Sequence, residues 1–285
     1  MTGITELVEA KCPARTLQDG EYVNAEDGLI YCSACHTPRQ ARVTILGRSM
    51  TPFVPCRCEQ ERQDAEKAKQ ARIEHMERIA RMKASGLQDR ALRDYNFAND
   101  LGYNPEIAKA HAYVERFAEM EASSTGLLLW GDVGTGKSFF AGCIANALIE
   151  RGIPVLMTNF ARILNTLTGM YAEDRNRFID SFENYRLLVL DDLGMERGTA
   201  FALEQVFNVI DSRYRSKKPM IVTTNLTLGE LKQPADLARR RIFGRVLERC
   251  VPLKLNRLDI RAENAAGQMK AAQAILCVES NKNND

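Results

Sequence analysis

Eight consecutive residues could do phosphate chemistry: Gly131, Asp132, Val133, Gly134, Thr135, Gly136, Lys137 and Ser138. They fit the pattern G-x-x-x-x-G-K-[ST], whose glycines let successive backbone N–H groups turn inward around a triphosphate. A helix opening at Phe139 would add the favourable end of its dipole. Lys137 is placed to reach the β- and γ-phosphates, and the Ser138 hydroxyl to complete a Mg²⁺ shell. The expected cofactors of this loop are ATP and Mg²⁺.

Three further clusters suit the same chemistry. Leu187-Leu188-Val189-Leu190 ends in Asp191-Asp192, as a buried strand would if it delivered acid to a metal–phosphate site. Asp191 is expected to hold the metal through its water shell, and Asp192 to orient and polarise the attacking water. Ile221-Val222-Thr223-Thr224-Asn225 is an apolar strand ending in polar residues, so Asn225 or Thr224 could sit beside the γ-phosphate and hold the water. On a helix, Arg241, Arg245 and Arg249 share one face at spacing four. Arginine stabilises charge on a transferring phosphoryl group, often across a subunit boundary. A basic helix facing nucleic acid is the competing and compatible explanation.

The elements that must position these residues are legible in outline. An apolar run over 126–130 reads as a buried strand before the loop, and 139–149 as a helix after it. Further strands are expected at 154–159, 187–191, 220–224 and 251–255. Helices are expected at 105–120, 160–171, 201–215, 235–249 and 261–275. This alternation predicts an α/β fold, a parallel five-stranded sheet with helices on both faces.

The N-terminal quarter differs. Five of the eight cysteines lie in the first 58 residues, and Cys32, Cys35, Cys56 and Cys58 form two close pairs with a hairpin-like insert between them. In a cytosolic chain such a cluster favours tetrahedral Zn²⁺ over disulfides, with a structural role, although free reduced thiols would give the same pattern. His36 or Cys12 could replace one ligand. From 59 to 83 the chain turns to Glu, Lys, Arg, Gln and Ala with i,i+4 charge pairs, which predicts an exposed helix. Its narrow apolar seam is Ile73, Met76, Ile79 and Met82. The expected organisation is a zinc-binding module over 1–58, a helical linker over 59–86, an ATPase domain over 87–276 and a disordered tail over 277–285. No apolar run approaches bilayer length and the N-terminus has no signal pattern, so a cytoplasmic protein with no membrane contact is expected. A formal net charge of +2 leaves any nucleic-acid surface to local clustering.

Over roughly 87–275 the chain resembles the DnaC/IstB-type AAA+ ATPases, most of all replicative helicase loaders. The resemblance rests on the phosphate loop, on Leu188 through Gly194, on Asp211-Ser212-Arg213-Tyr214-Arg215-Ser216-Lys217-Lys218-Pro219, and on Gly244 through Arg249. It implies the AAA+ P-loop NTPase fold, with Asn225 as the sensor of the γ-phosphate, Arg249 as an arginine finger acting in trans, and Arg261 as a second sensor. It also implies single-stranded DNA contacts at Tyr171, Thr199 and Phe201, a hexameric replicative DNA helicase as partner of the cysteine module, and self-assembly into a nucleotide-dependent oligomer. Many AAA+ proteins carry Glu where this chain has Asp192, and the shorter acid suits a slow switch. A transposition helper ATPase is the alternative function. A nucleotide-stabilised interaction protein without turnover is a third.

Overall fold

The computed structural model describes residues 17–45, 47–100, 102, 104–194, 198–234, 236–256, 269–273, 275 and 276. The chain divides into two compact units between Met76 and Glu77.

In the first unit, β1 (Glu21–Val23) pairs antiparallel with β2 (Ile30–Cys32), and β3 (Val43–Ile45) with β4 (Arg48–Met50). The hairpin-like insert between the cysteine pairs, read from the sequence as strands over 42–46 and 51–54, corresponds to the second hairpin, whose return strand comes earlier. Phe53, beyond β4, forms an isolated bridge to Gln40 instead. Helix α1 (Arg57–Gly86) begins in this unit and runs on into the second. Its seam is split. Ile73 and Met76 are exposed, whereas Ile79 and Met82 pack against the apolar core of the second unit.

That second unit is built on a sheet of order β6-β7-β8-β5-β9: β5 is Gly126–Trp130, β6 Val155–Asn159, β7 Leu187–Leu193, β8 Met220–Thr224 and β9 Cys250–Lys254. All the pairings are parallel. Helices cover both faces, so β7 and β8 are apolar on alternate as well as successive positions. Leu187, Val189 and Ile221 face one cluster with Phe140, Ile144 and Leu148 of α4 (Lys137–Glu150). Leu188, Leu190 and Val222 face the other, with Phe160, Val206 and Val246. Arg213 is almost fully buried and donates to the carbonyls of Tyr185, Arg186 and Pro219, tying the starts of β7 and β8 together. Burial pushes its guanidinium down to about 10.

Two expected helices differ from the structure. The helix expected over 105–120 breaks at Arg116 (φ −101, ψ 22) into α2 (Ile107–Glu115) and α3 (Phe117–Ala122). The helix expected over 160–171 stops as α5 (Phe160–Thr168) at Gly169. It is followed by α6 (Ala172–Asp180), whose polar surface gave no apolar stripe to read. Helix α7 (Ala200–Arg215) and, after the short α8 (Leu228–Lys232), α9 (Leu237–Arg249) lie where expected. Most of the helix expected at 261–275, including Arg261, lies outside the described residues, as do Cys12 and the expected tail.

Candidate active site

The phosphate loop joins the C-terminal end of β5 to the N-terminus of α4, the position at which open parallel sheets bind ligands. Gly136 caps α4 at φ +87, a backbone region costly for any residue with a Cβ. At Gly131 a Cβ would stand 2.5 Å from the Leu255 carbonyl oxygen, so the loop is pressed against the strand end by a glycine that cannot be replaced. Thr135 ties the loop to itself by donating to the Asp132 carbonyl at 2.9 Å, and Lys137 Nζ donates to the carbonyls of Gly131 and Asp132 at 2.8 and 2.6 Å. Val133 is exposed at the loop's tip, and Phe139 packs edge-on against Tyr95 at 5.5 Å between ring centres.

Strand parity brings the acids to this loop. Asp191 follows Leu187 and Val189 on the face of β7 that looks at α4, and the Ser138 hydroxyl donates to its two carboxylate oxygens at 3.0 and 2.9 Å. Burial pushes the Asp191 carboxyl up, Asp192 beside it adds to that, and the hydroxyls of Thr223 and Ser138 together with Lys137 oppose it. A hydroxyl and a carboxylate in contact, below glycine-rich backbone and a buried lysine, are hard oxygen ligands suited to Mg²⁺. Asp192 lies one residue further on, exposed, at φ +62. Opposite, β8 ends with Thr224, and Asn225 follows half-buried.

Thr224 and Thr223 divide differently from the sequence-based expectation. Thr224 is fully buried on the far face and spends its hydroxyl on structure, donating to the Leu193 carbonyl at 2.7 Å and accepting from the Leu226 amide at 3.1 Å. Thr223, which sequence reasoning passed over, is the one that meets the acids, through its bond to Asp191 at 2.5 Å. Counting by twos from Ile221 would have found it.

The three arginines do align along α9, and they face aromatic rings of α7. Arg241 and Arg245 lie over Phe207 at 4.8 and 4.6 Å, and Arg249 over Tyr214 at 4.7 Å. Arg245 is also paired with Asp211 at 2.7 Å, whereas Arg249 has no ion pair among the described residues. The aromatic candidates for nucleic-acid contact are spread over two helix starts. Tyr171, 85% exposed, precedes α6 instead of ending a helix. Thr199 caps α7 by accepting from the Ala202 amide, and the Phe201 ring carries the Arg175 guanidinium at 5.0 Å.

In the first unit the four expected cysteines converge, with their sulfurs all within 4.8 Å of one another. Cys32 and Cys56 lie 3.6 and 3.3 Å from Cys58 Sγ to Sγ, close to the roughly 3.8 Å that four Zn–S bonds of about 2.3 Å impose on a tetrahedron. The Thr37 hydroxyl pulls the Cys35 thiol down to about 5, and hydrogen bonds from Cys56, Cys35 and Cys32 push Cys58 up to about 12. Four cysteine sulfurs so close could each give up a proton to a shared cation, and the donor set fits zinc. His36 stands aside at φ +52, its Nδ1 3.3 Å from the Tyr22 hydroxyl.

The sheet order, the loop after β5 and the acids at the end of β7 define a P-loop NTPase of the AAA+ class. The chain matches the family described as IstB-like ATP binding protein over residues 48–265, well over half its length, and it belongs to that family. It is 27% identical over 128 residues to the replicative helicase loader DnaC of Escherichia coli K12, covering 44% of this chain and 51% of that one. The chain thus spans about half the length of that relative. A Mycobacterium tuberculosis protein named for ATP binding in an insertion sequence is 33% identical over 101 residues, 35% of this chain and 40% of that one. A solved structure, that of DnaI, shares the fold at a TM-score of 0.50 and 20% identity, over 60% of this chain and 96% of its own. Among the described residues no helix is long and apolar enough to cross a membrane.

Proposed function

We propose that this protein is an ATP-hydrolysing loader that binds a hexameric replicative DNA helicase and delivers it to single-stranded DNA, with hydrolysis as a slow switch. The observation that supports hydrolysis is the contact between Ser138 and Asp191, with Asp192 as the next residue. Lys137 and the loop amides of residues 131–138 hold the phosphates, and Ser138 and Asp191 take Mg²⁺, whose charge offsets that developing on the transferred phosphoryl group. Asp192 orients the attacking water and draws on its proton, and Asn225 senses the terminal phosphate. Arg249, which ends α9 and has no ion pair among the described residues, reaches a neighbouring subunit's nucleotide in a nucleotide-dependent oligomer, while Arg261 serves the nucleotide of its own subunit. Tyr171, Phe201 and Thr199 meet single-stranded DNA, where an exposed ring such as Tyr171 stacks on a base whatever the sequence.

Cys32, Cys35, Cys56 and Cys58 hold one structural Zn²⁺, and this cysteine module over 1–58 docks on the helicase. The domain scheme of module, helical linker over 59–86 and ATPase domain over 87–276, in a cytoplasmic protein, follows from that division of labour. Capture of purified replicative helicase by the full chain, with Cys35→Ser alongside, tests the reading. Capture by the native protein and not by Cys35→Ser, with ATP binding kept in both, is the expected result; equal capture by both would overturn it. The insertion-sequence relative favours a second reading, a transposition helper that recruits a transposase on DNA. Failure of the native chain to hold helicase, with DNA binding intact, would turn the choice that way.

A further inference from the structure

We propose that Thr223 is a positioning residue that sets both carboxylates of the site with a single hydroxyl. The inference rests on the reading of Asp191 and Asp192 given above and deepens it. Thr223 Oγ1 donates to Asp191 Oδ1 at 2.5 Å and accepts from the Asp192 amide at 2.9 Å. An amide nitrogen can only donate, so this contact takes a hydroxyl lone pair and leaves the one proton for Asp191. With Asp191 ionised and so able only to accept, the direction of both bonds is set.

The backbone shows why the bond is needed. Along β7, Leu190 pairs with Val222 and Leu193 with Thr224, so three steps on one strand oppose two on the other. The extra residue makes a bulge, the device by which strands re-aim a side chain. Asp192 sits in it at φ +62, a left-handed conformation that an L-residue holds only where its surroundings impose it. Its amide donates to the Thr223 hydroxyl, a side chain of the neighbouring strand. The threonine is well suited to hold it, being fully buried and β-branched, with a stiff χ1. Thr223 thereby ties the direction of Asp192 to the placement of Asp191, and both to β8, the strand that Asn225 follows.

The test uses the full chain with Thr223→Val, which keeps the shape and removes the hydroxyl, and Thr223→Ser, which keeps the hydroxyl. Steady-state turnover is measured beside the affinity for a fluorescent ATP analogue with Mg²⁺. Valine should lower kcat about tenfold or more, as small misplacements of reacting groups do, with nucleotide affinity within about threefold, and serine should recover most of the rate. Turnover of Thr223→Val within about twofold of the native rate would overturn the proposal, given that lost alignment has large effects. So would serine as slow as valine, or a joint loss of binding and turnover in both, which marks a purely structural role. If valine does not fold, Thr223→Ala, which adds no bulk, carries the same expectations. Asp192→Asn run in parallel separates the two readings. A normal rate in Asp192→Asn removes the assumed role of that acid, whereas a stalled Asp192→Asn beside a fast Thr223→Val defeats this inference alone.

Discussion

The two units of the chain are held together by different physics. In the second, the sheet is buried between two apolar clusters, and residues such as Leu128, Leu129, Phe140 and Ile144 have no exposure at all. In the first, Ile30 and two of the cysteines are the buried apolar residues among those described, while Tyr22, Val23, Val43, Ile45 and Phe53 stand exposed. A unit with so little core cannot offset its chain entropy by burial, and a metal is the usual remedy at this size. Its other fixed points are polar: Arg39 reaches Glu21 at 3.1 Å and Glu59 at 2.5 Å, joining the first hairpin to the start of α1. The comparison teaches that packing alone can hold the second unit, whereas the first gathers four cysteine sulfurs where an apolar core would otherwise sit.

The strongest way to break that comparison is to take the metal away. Zinc binding by such sites contributes about 10–16 kcal/mol of apparent free energy, more than a small unit's whole stability, so chelation or Cys35→Ser should unfold the first unit. The second unit should keep its melting transition and its ATP binding. Metal analysis giving no zinc in protein purified without chelators, with the first unit still folded by NMR, would end the contrast.

Next in size are the changes inside the packed unit. Lys137→Ala should abolish nucleotide binding, whereas Asp192→Asn should bind normally and lose turnover by roughly 10²–10³, the scale of a lost acid–base or orienting group. Equal loss of binding in both would show that Asp192 holds the ligand and not the water. Arg249→Ala should be as slow alone, yet mixing it with Lys137→Ala should restore some ATPase, since some interfaces then join an intact loop to an intact finger. No recovery at any ratio, with assembly verified by light scattering, would confine Arg249 to its own subunit. A packing change sharpens the contrast further. Ile144→Ala, on the buried face of α4, should cost about 2–5 kcal/mol of the second unit's stability and leave the cysteine module's metal untouched.

The phosphate loop, the acid-ended strand and the order of strands and helices were legible because each depends on local pattern: glycine spacing, apolar runs and turn residues. The cysteine cluster was legible for the same reason. Less visible were features set by pairing between distant strands. The bulge at Asp192 exists only in relation to β8, so nothing local in Leu190-Asp191-Asp192-Leu193 announces it. Thr223 was overlooked beside Thr224 although parity with Ile221 puts it on the α4 face. Helix α6 was missed because its surface is charged nearly all round, with Ile179 its one buried residue. The motif Asp211 through Pro219, read only as a mark of kinship, proved to be packing chemistry, since its Arg213 staples two strand starts and its Asp211 pairs with Arg245.

The smallest effect expected is also the one that places function against stability within the packed unit. Burial raises the Asp191 carboxyl above its value in an unfolded chain, so ionising it costs folding free energy. That cost is absent below the unfolded carboxylate range, near about 3.9, and is complete once pH has passed the folded value. Asp191→Asn keeps an oxygen that can accept from Ser138 and Thr223 while removing the charge. Without nucleotide, then, the variant should melt slightly higher than the native protein at pH 7, and the gap should close on acidification. With Mg²⁺ and ATP in excess the order should reverse, because a ligand at about 100 times its Kd adds about 2.7 kcal/mol to the protein that can bind it and nothing to one that cannot. A lower melting point for nucleotide-free Asp191→Asn at pH 7 would mean that the Ser138 and Thr223 bonds outweigh the burial of charge. The site would then be a stabilising part of the core, and not a place where the packed unit gives up stability to suit a metal.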